Sequence, residues 1–446
     1  MRAEAQIAMP PIRVYQDLFD RILTRNARMG VIGLGYVGLP EAVEFARAGF
    51  TVVGIDTDLG RVERLNNGDS YIQDVAAKQL EPLLYTQRLR ATSDFSCVSR
   101  LDTINICVPT PLRKSKDPDL SFIMGAVEQI KKHIRRGQLI ILESTTYPGT
   151  TEEILLPLLS ESGLKVGEDF FLVFSPERVD PGNAEYQTHN IPKIVGGITQ
   201  QCTKLAVALY QQVVETVVPV SSPAVAEMVK LLENTFRSVN IGLVNEIALM
   251  CHTLKLDVWE VIEAAATKPF GFMPFYPGPG VGGHCIPLDP FYLSWKARVH
   301  GFEPRFIDLA GQINAQMPAH VVNRIVDALN NNCKCLRNSH VHVMGVAYKR
   351  DIGDVRESPA LEVIHLLNSK GTIVSYSDPY VPSLRVDGVT LESLEPTADL
   401  LSSSDCVVII TDHKSFDYQA LVEYAQSIVD TRNALRGFNS NKIVRL

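Results

Sequence analysis

Apolar runs of four or five residues alternate along much of the chain with longer stretches in which apolar positions recur every three or four residues. That is the pattern of buried parallel strands joined by helices rather than of half-exposed hairpins. Met29 to Ile32 is the first run. It enters Gly33-Leu34-Gly35-Tyr36-Val37-Gly38, after which Leu39 to Ala48 has helical spacing, and a second strand, Thr51 to Ile55, ends at Asp56. Thr103 to Val108 leads into Pro109-Thr110-Pro111, Leu139 to Leu142 into Glu143-Ser144-Thr145-Thr146-Tyr147-Pro148, and Phe171 to Phe174 into Ser175-Pro176-Glu177-Arg178. Around 220–268 the texture becomes helical, fitting either two helices or one long bent one. Beyond Asn332 the alternation returns, with a strand over His340 to Tyr348, a helix from Ser358 to Asn368, and strands over Thr372 to Tyr376 and Cys406 to Ile410.

The glycines at 33, 35 and 38 form G-x-G-x-x-G between a strand and a helix, the context in which that spacing carries chemistry. Glycine permits the tight turn, the approach of backbone to a pyrophosphate, and close packing of helix on strand, while the helix amino terminus favours the phosphate charge. Asp56, eighteen residues past Gly38, can accept ribose hydroxyls. No Arg follows it directly, so a 2′-phosphate would meet a carboxylate and NAD is favoured over NADP. Tyr36, Val37 and Arg61 are further candidate cofactor contacts. In an open parallel sheet ligands sit outside the carboxyl ends of the strands, which adds the turns carrying Pro109, Thr110 and Thr146. The later α/β region has no full fingerprint and is assigned no dinucleotide. The expected fold class is α/β, two Rossmann-like parallel-sheet domains joined by a central helical domain. The expected divisions are 1–28 as an extension, 29–217 for NAD, 218–330 as the helical domain with a cysteine loop, and 331–446 as the second α/β domain.

Composition narrows the setting. A chain of 446 residues is longer than single cores usually grow, so several domains are expected. The net charge is −7 and there is no long Lys/Arg run, which argues against nucleic-acid or anionic-membrane partners. The first residues lack the pattern of a signal peptide and no apolar stretch reaches 18 residues, so a soluble cytoplasmic protein is expected. The eight cysteines are scattered, as free thiols are. Cys333 and Cys335 have no second Cys/His pair at zinc spacing, and no metal site is expected.

One thiol stands apart. Gly282-Gly283-His284-Cys285-Ile286-Pro287-Leu288-Asp289 sets a cysteine beside two glycines and four residues before a carboxylate. Glycine lets a substrate come close, and a thiolate is a nucleophile. The fingerprint, Ser175-Pro176-Glu177-Arg178, the segment from Lys230 to Asn234, the Gly-Gly-His-Cys stretch and Tyr348-Lys349-Arg350-Asp351-Ile352-Gly353-Asp354-Val355-Arg356-Glu357-Ser358 occur in the order seen in nucleotide-sugar 6-dehydrogenases. From about Met29 onward the chain resembles the UDP-glucose/GDP-mannose dehydrogenase family. Lys268 to Phe272, Pro277 to Gly280 and Pro287 to Leu293 look most like its UDP-N-acetylglucosamine 6-dehydrogenase branch.

The resemblance implies a four-electron oxidation of a sugar C6 hydroxyl to a carboxylate with two NAD+ reduced, and it explains the thiol. Adding Cys285 to the intermediate aldehyde creates a tetrahedral thiohemiacetal, whose oxidation gives a thioester for water to hydrolyse. By the same resemblance Asp289 relays the first proton with Thr146 helping to hold a water, Lys230 steadies the oxyanions with Asn234 beside it, and Glu177 serves thioester hydrolysis. Lys230 and Asn234 are i and i+4, so one helix face presents both. Arg178, Tyr276, Gly280, Tyr348 and Lys349 are candidate substrate contacts with Glu177, Lys230 and Asn234, and Arg356 is a candidate cofactor contact. His284 is a weak candidate base for Cys285, because neighbours in extended chain point apart; Lys230 is the alternative means of lowering the thiol pKa. Leu288 stands where UDP-glucose enzymes often have Lys. UDP-glucose, dTDP-glucose and UDP-N-acetylmannosamine stay open as substrates, as does a non-catalytic nucleotide-sugar-binding protein, and a homodimer or higher homo-oligomer is expected.

Overall fold

The computed structural model describes residues 11–72, 75–113, 117–179, 185–186, 188–283 and 286–446. The chain forms two compact units, Met1–Leu232 and Glu233–Leu446.

The first unit opens with α1 (Pro11–Leu23), which the sequence reading left without a role. Val14, Leu18 and Ile22, one turn apart, are buried in the unit's main core, and Arg21 pairs with buried Asp102 at 3.2 Å. Then come β1 (Arg28–Ile32), α2 (Gly38–Arg47), β2 (Thr51–Ile55), α3 (Leu59–Asn66), α4 (Ala77–Tyr85), β3 (Leu89–Thr92), β4 (Thr103–Ile106), α5 (Ser121–His133), β5 (Gln138–Leu142), α6 (Leu156–Ser160), β6 (Phe170–Phe174), β7 (Lys193–Gly197), α7 (Gln200–Tyr210) and β8 (Val217–Val220). The eight strands form one sheet in the order β3-β2-β1-β4-β5-β6-β7-β8. Every pairing is parallel except β6 with β7. β2 and β3 lie on one side of β1 and β4 on the other, so the switch point falls between β1 and β4. Ile106 pairs with Leu142 and Leu142 with Phe174, so the loops after β4, β5 and β6 leave the sheet side by side.

The helical texture at 220–268 resolves into one 32-residue helix, α8 (Pro223–Leu254), and a short α9 (Val258–Ala266). α8 stops where Lys255 turns to φ 58° and the Leu256 N–H reaches back to the Cys251 carbonyl, a left-handed helix end. The second unit continues with α10 (Asp289–Val299), α11 (Arg305–Asn330), β9 (His340–Met344), α12 (Pro359–Ser369), β10 (Ile373–Ser377), β11 (Ser383–Val386), β12 (Val389–Glu392), α13 (Ala398–Ser403), β13 (Cys406–Ile409), α14 (Tyr418–Tyr424), β14 (Ile428–Asp430) and β15 (Ile443–Arg445). Its five-stranded sheet, β10-β9-β13-β14-β15, is parallel throughout. β11 and β12 form a separate antiparallel pair.

The strand expected over His340 to Tyr348 ends at Met344. Gly345 turns to φ +78°, where a Cβ would lie 2.2 Å from the Thr411 carbonyl oxygen, and the Val346 and Ala347 N–H groups leave the sheet to bond Asp378. Among the described residues no helix is long and apolar enough to cross a membrane.

Candidate active site

The fingerprint glycines are held by what surrounds them. A Cβ on Gly33, at φ +91°, would lie 2.6 Å from the Cys107 carbonyl, and one on Gly38 would lie 1.9 Å from the Gly33 carbonyl. Gly35 has nothing within 4 Å, which leaves the opening a pyrophosphate needs. Asp56 closes β2 and is buried. Its carboxylate accepts the Leu34 N–H at 2.8 Å and the Asp58 N–H at 2.9 Å, with Arg61 at 3.6 Å. Arg61 and Arg64 also face the ring of Tyr71, whose hydroxyl donates to the Leu34 carbonyl. Tyr36 is half exposed beside the glycines, and Thr110 is buried where Pro109 is exposed. The set fits a dinucleotide.

The loops after β4, β5 and β6 join a buried polar cluster in which Glu177 was expected as a site residue, while Lys193, Glu143, Asn105, Glu41, Cys107 and Tyr210 were not. Lys193 at the start of β7 donates to Glu143 and to Glu177, each at 2.9 Å. Asn105 donates to Glu41 at 2.8 Å and to Glu143 at 2.9 Å, Tyr210 donates to Glu143, and the Cys107 thiol to Glu41 at 3.2 Å. Burial, then the Glu143 charge, raises Glu41 well above the carboxylate range, and burial with Glu41 raises Cys107. Glu177 goes the other way. Burial alone would raise it, but Lys193, the Val179 N–H and Lys230 together bring it below its usual value. Its second oxygen accepts the Arg178 and Val179 N–H groups, each at 2.7 Å, while the Arg178 guanidinium donates to the Pro192 carbonyl. Glu41, Cys107 and Glu143 bring ligand atoms within 4.8 Å of one another, yet the Lys193 ammonium and the Asn105 amide already donate into this cluster.

Thr146, expected in a polar turn, is buried and shares a 2.6 Å hydrogen bond with Thr150. That turn is tied to α8 by Glu227, which accepts the Gly149 N–H at 2.5 Å and the Thr151 N–H at 2.9 Å, with the Thr151 hydroxyl at 2.7 Å. Burial pushes the Glu227 carboxyl up to about 7 against the pull of these three donors. Lys230, one turn on, is buried too, as a plain surface lysine would not be.

In the second unit Asn234 of α8 donates to Asp289 at 2.5 Å, and both are buried. Asp289 opens α10, where the helix amino terminus favours its negative charge. His284 and Cys285 lie outside the described residues. Their neighbours are packed against the segment between β9 and α12. A Cβ on Gly283 would meet the Tyr348 ring at 2.8 Å, one on Gly282 the Tyr348 Cβ at 2.7 Å, and the Gly283 N–H donates to the Arg356 carbonyl at 2.9 Å. That segment thus brings Tyr348 and half-buried Lys349 beside the glycines. The exposed Arg356 guanidinium forks onto Asp354 at 2.6–3.0 Å. Gly280, at φ +132°, is packed near Pro359, and Tyr276 stacks on Trp259 at 6.1 Å.

Three parts of the chain match one family, the UDP-glucose/GDP-mannose dehydrogenases: its NAD binding domain over 27–214, its central domain over 224–316 and its UDP binding domain over 342–437. A UDP-N-acetyl-D-mannosamine dehydrogenase of Pyrococcus horikoshii is 36% identical over 415 residues, 92% of this chain and 96% of the relative. A UDP-N-acetyl-D-glucosamine 6-dehydrogenase of Pseudomonas aeruginosa is 37% identical over 359 residues, 80% of this chain and 84% of the relative. Among solved structures, a UDP-D-ManNAc dehydrogenase from Pyrococcus horikoshii superposes with a TM-score of 0.86 at 34% identity, covering 94% of this chain and 98% of the other. A UDP-glucose dehydrogenase from Pyrobaculum islandicum gives 0.83 at 28% identity, covering 94% and 96%.

Proposed function

The chain belongs to the UDP-glucose/GDP-mannose dehydrogenase family and is an NAD-dependent nucleotide-sugar dehydrogenase, and from that premise we propose that it oxidises the C6 hydroxyl of a UDP-N-acetylhexosamine, UDP-N-acetylglucosamine first among them, to the uronic acid. The observation that carries the reading is Asp289, buried, bonded to Asn234, and four residues past Cys285. The N-acetyl sugars named for the Pyrococcus and Pseudomonas relatives support the substrate class. They differ at C2, so UDP-N-acetylmannosamine is the second reading, ahead of UDP-glucose and dTDP-glucose.

Gly33, Gly35, Gly38 and Asp56 with Arg61 would hold NAD, which when bound accepts the hydride in each of two oxidations. Asp289 takes the hydroxyl proton through a water held by Thr146 as the alcohol becomes an aldehyde. The Cys285 thiolate then adds to the aldehyde carbon, forming a C–S bond, and Lys230 offsets the charge on the oxygen of that adduct. Loss of the second hydride leaves a thioester. Glu177 takes a proton from the water that attacks it, the C–S bond breaks, and carboxylate and thiol are released. Residues 331–446, through Tyr348 and Lys349, would hold the nucleotide sugar, and Arg356 would reach the cofactor. We place the protein in the cytoplasm, where free thiols such as Cys285 stay reduced, and read it as a homodimer or higher homo-oligomer.

The test is a panel of UDP-N-acetylglucosamine, UDP-N-acetylmannosamine and UDP-glucose compared by kcat/KM, with NADH and uronate both counted. Two NADH per uronate are expected, with the first sugar preferred. A ratio of one excludes the thioester route, and NAD and sugar binding with no turnover would make the chain a binding protein.

A further inference from the structure

We propose that Lys193 is a positioning residue for thioester hydrolysis, fixing Glu177 from behind with Glu143 as its own fixed counter-charge; this rests on the reading of Glu177 as the hydrolytic base. Lys193 begins the one strand pair in its sheet that runs antiparallel, and that places its stem beneath the loop that follows β6. Its side chain is 7% exposed, that of Glu143 0% and that of Glu177 15%, so the bridge is built almost wholly out of water. Each partner is anchored on its far side: Glu143 by Asn105 and Tyr210, Glu177 by the Arg178 and Val179 N–H groups. The ammonium also lies 5.0 Å from the centre of the Tyr210 ring.

Ion pairs this deep contribute little to stability over an apolar replacement, because dehydrating the charges offsets their attraction. Their effect on ionisation is larger. Among the described residues, the charged or titratable groups of the cluster that holds Glu177 are Lys193 on β7, Glu143 after β5, Glu41 on α2, Cys107 after β4 and Tyr210 on α7, the last two set against Glu41 and Glu143, with Lys230 on α8 and the chain neighbour Arg178. Two of these are carboxyls. Glu41 is held protonated by burial and Glu143, so without Lys193 it is the Glu143 carboxylate that opposes the Glu177 charge, with Lys230 as the counterweight, and a protonated Glu177 cannot take a proton from water. Glu177 is held low in the native enzyme, so its activity is present above its own pKa and lost as pH falls through it. Removing the lysine raises that pKa and moves the loss to higher pH. Removing the Glu143 charge lowers it and moves the loss the opposite way.

The experiment uses the full chain with UDP-N-acetylglucosamine and NAD+, following the covalent sugar adduct by intact-protein mass after rapid quench across pH. Lys193→Met should accumulate adduct and shift the acid limb of hydrolysis upward by about one pH unit or more, with KM for NAD unchanged. Lys193→Arg should restore much of the rate, and Glu143→Gln should shift the limb downward. Unmoved limbs, or limbs that move the same way in Lys193→Met and Glu143→Gln, overturn the proposal. Should Lys193→Met not fold, the Glu143→Gln and Lys193→Arg limbs decide it. Glu177→Gln separates the two readings: hydrolysis at the native rate in that variant overturns both, whereas a stalled adduct there with unmoved limbs elsewhere overturns only the role of Lys193.

Discussion

Glu227 has no exposed surface and turns both carboxyl oxygens toward donors on the Gly149–Thr151 turn. A carboxylate can accept all three bonds. A glutamine cannot, because its amide nitrogen would face a backbone N–H. Glu227→Gln is therefore expected to lower the free energy of unfolding in urea at pH 8 by about 1–3 kcal/mol, and to lower kcat more than it raises KM for NAD, since Thr146 leads into the same turn and bonds Thr150 within it. A variant as stable and as fast as the native enzyme would show the turn to be held by other contacts. Such residues were hard to find in the sequence. Gly33 and Asp56 belong to a local pattern that can be read in order, whereas Glu227 and Lys193 act on partners 78 and 50 residues away. Lys193 stands in a Pro-Lys-Ile-Val-Gly-Gly stretch that looks like any strand entry. Only the sheet order places it under Glu177.

Two histidines and two serines stitch β9 to β10. His342 bonds Ser375 through Nδ1 at 2.8 Å and Ser377 through Nε2 at 2.9 Å, and His340 bonds Ser375 at 2.7 Å. Burial, with the neighbouring His340 charge adding to it, lowers the His342 pKa to about 4. The ring stays neutral in the folded chain while the unfolded chain takes up a proton below its ordinary 6.5. Stability is then fully present above about pH 6.5 and lost as pH falls toward 4, on the order of 3 kcal/mol for the whole window. Urea unfolding at pH 7.5 and pH 5 should show His342→Val losing less stability between the two than the native chain; equal losses would mean the ring is protonated within the fold. At this scale the sequence was informative about the existence of strands and helices and poor about their ends. β9 and β10 were expected where they occur, but β9 stops early because Asp378, 32 residues away, captures the Val346 N–H. α1 was overlooked although Val14, Leu18 and Ile22 carry the spacing, because its apolar face becomes meaningful only against a core supplied by later strands.

Across the molecule, α8 joins two kinds of surface on one rod. At 100° per residue, the exposed Val225, Met228, Leu232, Phe236, Leu243, Met250 and Leu254 fall within an arc of about 80°, while Glu227, Lys230 and Asn234 lie on the opposite side. An apolar stripe running the length of a 32-residue helix is more than a soluble monomer usually leaves to water. An apolar periodicity alone fits pairing and internal burial equally, and burial along the helix separates the two: Ala226, Leu231 and Ala248 are covered and the stripe is not. A two-fold pairing of this face with itself in a second copy would cover it without altering the side that carries Lys230 and Asn234. Sedimentation velocity is expected to give a dimer at micromolar concentration. Phe236→Glu combined with Leu243→Glu should convert it to a folded monomer, because pairing would then bury four carboxylates with no counter-charge in an apolar face. A native chain that sediments as a monomer would leave the stripe without a self-partner. A double variant that remains dimeric would place the pairing surface elsewhere on the molecule, and Lys230 and Asn234 would then be held by the fold of a single chain alone.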